Sequence, residues 1–196
     1  MMTEERAAEL FSREDSALKI CVGSWKAYNE CNAHALGSYY NDSFFIDFMK
    51  LESAEELMEL LNFLGWDELE QEELFIQDYE SEFFRFHNCD YINPLEIAEA
   101  LEGRQDEIEE NAAKIGAMIE YDSEYEDIKK ALEDLDDFNF YEDMEPEEYE
   151  EQLFFDCIDR ETADLLDRNP YITIDFEAMA RDDDIFCASG GVLVHY

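Results

Sequence analysis

The stretch ELEQEELFIQDYESE, Glu68 to Glu82, holds seven carboxylates in fifteen residues and no Lys or Arg. Like charges this close repel, yet Leu74, Phe75, Ile76 and Tyr79 run among them, and a Phe-Ile pair belongs to a folded core rather than a solvated tail. The pattern extends along the chain. Lys and Arg are absent between Lys50 and Arg85, a gap with twelve Asp or Glu, and between Lys130 and Arg160, a gap with thirteen. Over 196 residues, 54 acidic against 13 basic side chains leave a net charge of −41. The 46% hydrophobic and 14% aromatic content argues against disorder, so the chain must fold against strong self-repulsion. Nucleic acid and anionic membrane are poor partners for such a surface. Basic proteins, basic grooves and cations are good ones.

The opening MMTEERAAELFSRED lacks the basic-then-apolar order of a secretion signal, and no apolar run of about 18 residues exists to span a bilayer. Five scattered cysteines (Cys21, Cys31, Cys89, Cys157, Cys187) include no C-x-x-C. A cytoplasmic protein with reduced thiols is expected.

The pattern predicts an α+β fold: an elongated chain of three small modules behind an acidic leader, residues 1–16, that is helical or frayed. In the first module (17–82), ALKICV and SFFIDFMKL read as strands separated by a long irregular connection over 23–43. Ser53 and Glu56 form a capping box for a helix with apolar Leu57, Leu60, Leu61 and Leu64 that stops at Gly65, and LFIQDY is a third strand. The middle module (83–138) is helical. Asn93-Pro94 opens a helix to about Glu102, Ile108, Ala112, Ile115 and Ile119 mark one over 105–120, and Ser123 with Glu126 cap another to about Asp136. In the last module (139–196), one helix runs from Pro146 to near Asp159. A second ends at Asn169-Pro170, and strands follow at YITIDF and on either side of Ser189-Gly190-Gly191.

Uncompensated acid lies on every module. The candidate partner-binding carboxylates are Glu55, Glu56, Glu59, Asp67, Glu68, Glu70, Glu72, Glu73, Asp78, Glu80 and Glu82 in the first. Glu102, Asp106, Glu109, Glu110, Glu133, Asp134, Asp136 and Asp137 follow in the second, and Glu142, Asp143, Glu147, Glu148, Glu150 and Glu151 in the third. Duplex DNA carries about one charge per 1.7 Å of axis, so 41 charges match roughly 70 Å, or about 20 base pairs. One sphere of this chain length would span only about half of that. Matching the phosphate density therefore needs an elongated scaffold, and a cationic groove would gain the same counterion-release free energy from it as from DNA. The carboxylates read as stand-ins for phosphates: the chain imitates DNA.

Other chemistry fares worse. A salt-adapted protein is also acidic and Lys-poor, but this chain keeps many large aromatics. Arg181-Asp182-Asp183-Asp184 lacks the Gly and ligand spacing of a calcium loop. Among 54 carboxylates chance acid–base pairs carry no information. Cys31 and His34 are close enough for a nucleophile pair but read as ordinary loop or core residues, and His87 and His195 show no ligand spacing. Trp25, Tyr28, Tyr39 and Tyr40 are a binding cluster or, the better reading, core packing. No catalytic, metal or cofactor site is expected.

KICVGSWKAYNECN resembles the N-terminal strand and loop of the ArdA antirestriction family. FIQDYES and DFEAMARD are similar to two further segments of that family, in the same order and spacing. The resemblance implies a non-catalytic mimic of bent DNA, elongated and three-moduled, dimerising through its C-terminal part. It would occupy the DNA-binding groove of type I restriction–modification enzymes and protect incoming DNA carried by mobile elements. EYEDIKKALEDLDDF is an imperfect match to the family's acidic-apolar motif, near the dimer contact by the same resemblance. Glu30-Cys31-Asn32-Ala33-His34 departs from the family's Gly-Ser after Tyr-Asn. A general acidic decoy or chaperone for another basic DNA-binding protein is the alternative.

Overall fold

The computed structural model describes residues 1–196 other than Arg13, Glu82, Phe83, His87, Asp184 and Tyr196. The fold class is α+β, with helices packed on two three-stranded antiparallel sheets. Two compact units emerge: Met1–Ala112 with Glu126–Lys130, and Ala113–Tyr125 with Ala131–Tyr196.

In the first unit, α1 (Glu4–Leu10) is followed by β1 (Leu18–Ser24), α2 (Trp25–Glu30) and β2 (Ile46–Asp47). Then come α3 (Ala54–Phe63), β3 (Leu74–Ser81), α4 (Pro94–Leu101) and α5 (Gln105–Glu110). The sheet order is β2-β1-β3. All seven residues of β1 are buried, as a central strand requires. A bulge between Cys21 and Val22 shifts the pairing with β3, and beyond it β3 passes from buried Leu74, Phe75 and Ile76 to exposed Gln77 and Asp78. Gly23 sits under the Phe75 ring, where a Cβ would lie 2.5 Å from Cζ.

The leader is helical and docked. Ala7 and Leu10 are buried, and the Arg6 guanidinium reaches Glu56 through Nε (2.8 Å) and Nη2 (3.0 Å) and the Lys50 carbonyl at 2.6 Å. Ser53 caps α3 by accepting from Glu56 N at 3.2 Å. The return half of the capping box goes elsewhere, with Glu56 Oε2 accepting from Glu52 N at 2.8 Å.

The second unit takes α6 (Ala112–Tyr121) from its second residue onward and the last residues of α7 (Ile128–Glu133), whose first three belong to the first unit. Next come β4 (Phe138–Glu142), α8 (Pro146–Cys157), α9 (Arg160–Asp167), α10 (Phe176–Asp182), β5 (Ile185–Ala188) and β6 (Gly191–His195). The sheet order is β4-β6-β5. Tyr149, Val192 and Val194 form a core cluster joined by Tyr141, Met144 and Ile185. Phe138 is buried under a stacked His195 ring (4.6 Å, 18°) and the edges of Tyr121 and Tyr125.

Several local expectations fail for identifiable reasons. The connection over 23–43 contains α2, because Ser24 Oγ accepts from Ala27 N (3.4 Å) and Cys31 closes the helix at φ 53°. SFFIDFMKL is extended in pairing only at Ile46–Asp47, since the Asp47 side chain takes Met49 N (3.2 Å) and starts a 3-10 turn over Phe48–Lys50. The helix expected over 105–120 breaks at Asn111 into α5 and α6. The one over 123–136 is α7 between 3-10 turns at Ser123–Glu126 and Leu135–Asp137. YITIDF forms no strand. Asn169 Oδ1 accepts from Tyr171 N (3.1 Å), and Asp175 Oδ1 accepts from Ala178 N (2.9 Å), so α10 begins within that segment. Phe138–Glu142, assigned no strand from sequence, pairs with β6.

Candidate functional site

Three helices carry the same charged device. Glu55, Glu56 and Glu59 on α3, Asp106, Glu109 and Glu110 on α5, and Glu147, Glu148 and Glu151 on α8 each place carboxylates one turn apart. Residues three or four apart lie about 5–6 Å from each other on a helix, and each like-charge pair costs about 0.2–0.5 kcal/mol. The cost is partly offset where the acids occupy first turns, as Glu55, Glu56, Asp106, Glu147 and Glu148 do, because the N-terminal dipole stabilises each by about 0.3–1 kcal/mol. On β3, Asp78 and Glu80 are two residues apart and share a face about 6.7 Å apart.

Of the predicted carboxylates, Glu55, Glu59, Asp67, Glu68, Glu72, Glu73, Asp78 and Glu80 are exposed in the first unit, as are Glu102, Asp106, Glu109 and Glu110. Glu133, Asp136, Asp137, Glu142, Asp143, Glu147, Glu148 and Glu151 are exposed in the second. Glu56 and Asp134 are half-buried, and Asp134 Oδ2 accepts from the Tyr125 hydroxyl at 3.3 Å. Glu82 lies outside the described residues, as do His87 and Asp184. Ion pairs engage Glu56 with Arg6, Glu59 with the N-terminal amine (2.7 Å) and Asp67 with Lys26 (3.1 Å). Among the described residues, Glu68, Glu72, Glu73, Asp78 and Glu80 have no cationic partner, and the exposed acids of α5 and α8 have none either.

Two predicted carboxylates point inward. Glu70 is 4% exposed. Its Oε2 accepts from Asp67 N (2.8 Å), its Oε1 from Asn32 Nδ2 (2.7 Å), and His34 Nδ1 lies 3.1 Å from Oε1. Its own N–H donates to Asp67 Oδ1 at 2.8 Å. Burial works against ionisation, but these donors outweigh it and hold the Glu70 carboxyl below its usual range. Glu70 thus anchors the turn that carries Glu68, Glu72 and Glu73. Glu150 is 1% exposed, and its Oε1 has no hydrogen-bond partner. Burial, reinforced by Asp183, pushes its carboxyl above the usual value. Helical periodicity is the reason for the difference on α8: Glu147, Glu148 and Glu151 project from one side, and Tyr149 and Glu150 are buried.

Cys31 Sγ lies 3.8 Å from the Tyr28 carbonyl and His34 stacks on Trp66 (5.0 Å, 14°) beside Glu70, each held in its own surroundings. Burial pushes the Cys21 thiol up to about 11. Tyr28 and Tyr39 are exposed rather than packed in the core, and Trp25 and Tyr40 are half-buried. Among the described residues no helix is long and apolar enough to cross a membrane.

A family model described as antirestriction protein (ArdA) matches residues 20–194. The chain belongs to the ArdA antirestriction family. The match spans both sheets and nearly all of the acidic helices, so family membership covers the fold that holds the carboxylates. No curated protein matches the sequence.

Proposed function

We propose that this ArdA-family chain blocks restriction without catalysis, by lying in the DNA-binding groove of a type I restriction–modification enzyme with its carboxylates in the places of phosphates. The observation that carries this reading is that acids stand exposed on α3, α5, β3 and the 67–73 turn of the first unit and on α8 of the second, most of them without a cationic partner among the described residues. Stability alone favours Glu–Lys pairs at these spacings, so the crowding is retained at a cost that a cationic partner repays. The protein would act in the cytoplasm as a homodimer of three-module chains. Leu153, Leu165, Tyr171 and Ile172, left exposed in the second unit, are apolar groups that a second copy would cover. Two chains would offer roughly 80 charges, about 40 base pairs' worth.

The test is inhibition of a purified type I enzyme on unmodified DNA, with rising salt. Single exposed changes such as Glu68→Gln leave inhibition nearly intact, whereas Glu68, Glu72 and Glu73 neutralised together weaken it strongly. The block also lowers the slope of log affinity against log salt by about one for each carboxylate that had faced a cation of the groove. A block variant as potent as the parent, or one exposed carboxylate whose loss abolishes inhibition, would overturn the distributed-charge reading. Equal capture of unstructured basic peptides and the enzyme would favour an unspecific acidic decoy.

A further inference from the structure

The helix α2 holds an aromatic pair at the edge of the acidic turn. Trp25 stacks on Phe75 (4.5 Å, 26°), and Tyr28, one turn later, meets the Trp25 ring edge-on at 5.9 Å. The Trp25 backbone N–H donates to the Glu73 carbonyl at 3.0 Å and its indole Nε1 to the Asp90 carbonyl at 3.4 Å. Lys26 ties the same helix to Asp67. The indole is therefore fixed between two segments whose carboxylates, Glu73 and Asp90, are exposed. Packing accounts for Trp25 on Phe75. It leaves Tyr28 58% exposed.

A single exposed aromatic needs no explanation, but the setting of this one supplies a partner chemistry. The face of the ring is electron-rich, so it adds to the attraction that the neighbouring carboxylates exert on cations. The two common protein cations respond differently. A guanidinium is planar and weakly hydrated, and can stack on the ring while its N–H groups fork to a carboxylate; an ammonium is compact and strongly hydrated.

We infer that the Trp25–Tyr28 ledge is an arginine-recognising surface, taking a guanidinium from a cationic protein groove, with Tyr28 as the stacking ring and the segments that carry exposed Glu73 and Asp90 supplying the negative charge around it. The inference rests on the groove reading above and adds a selectivity that matched charge alone does not give. Bare line charge attracts arginine and lysine grooves alike.

The test uses the full chain and two probes, an all-arginine and an all-lysine peptide of equal length and charge, titrated at low and raised salt. The parent protein binds the arginine peptide more tightly, and the ratio survives raised salt. Tyr28→Ala lowers arginine-peptide affinity by about twofold to fivefold, the range of an exposed cation–π contact, and lowers lysine-peptide affinity by less, so the ratio between the two falls. Tyr28→Phe keeps the preference, because it keeps the ring. Equal affinity for both peptides in the parent, or an equal loss for both in Tyr28→Ala, would overturn the inference while leaving the groove reading standing. No salt-dependent binding of either peptide would sink both.

Discussion

Replacing Glu70 with Ala removes a carboxylate that was expected from sequence to face a partner and is instead enclosed. Three donors lose their acceptor: Asp67 N at 2.8 Å, Asn32 Nδ2 at 2.7 Å and His34 Nδ1 at 3.1 Å. Hydrogen bonds to a charged group contribute about 1.5–3 kcal/mol each, but Asp67 is exposed and Asn32 and His34 are half-buried, so water recovers part of that. The net destabilisation expected is about 2–4 kcal/mol, against at most about 0.5 kcal/mol for Glu68→Ala, whose side chain is exposed and has no ion-pair partner among the described residues. Both tryptophans, Trp25 and Trp66, lie in the first unit, so urea unfolding followed by tryptophan fluorescence reports the unit that contains Glu70. The pH dependence has a definite sign. The Glu70 carboxyl is held below its usual value in the fold, so its contribution is present above about pH 4.3, the unfolded value, and fades as pH falls through the depressed folded one. The reasoning is refuted if Glu70→Ala and Glu68→Ala unfold at the same urea concentration, or if the difference between them grows in acid.

Arg6→Met removes the fork onto Glu56 and the bond to the Lys50 carbonyl. It should destabilise the first unit by about 1–3 kcal/mol and make α1 the first segment cut by a protease, measured by mass mapping of early fragments. Glu150→Gln should stabilise the second unit near neutral pH and lose that advantage toward about pH 4. A carboxyl raised in the fold favours folding only while protonated, so the parent weakens as pH rises through the folded value; thermal melts across pH read this directly. Gly191→Ala drives a Cβ against the Tyr141 carbonyl oxygen and the Phe140 ring. It should open the β4–β6 pairing at a cost of about 1–3 kcal/mol, seen as faster amide exchange at Val192 and Val194.

Helix ends were legible because their signals are local. Ser53, Asn93-Pro94 and Pro146 open helices where the sequence places them, and Ser189-Gly190-Gly191 turns β5 into β6. Strand assignments at YITIDF and SFFIDFMKL failed where an Asp side chain captured a backbone N–H and started helical turns, a competition that apolar composition does not register. FNFYE went unassigned because a short strand is defined by its partner, and β6 is about fifty residues away.

The sequence by itself determined that the surface is acidic, since 54 carboxylates cannot be hidden in a chain with 13 cations, and the repeated helical spacing already placed most of them outward. Tertiary structure alone decided which acids are not surface at all. Glu70 and Glu150 look like their neighbours in the sequence, but one is enclosed by Asn32, His34 and the Asp67 N–H, and the other is buried with Tyr149 near Asp183. Charge is a property of each residue and adds along the chain; burial depends on what distant segments bring to it.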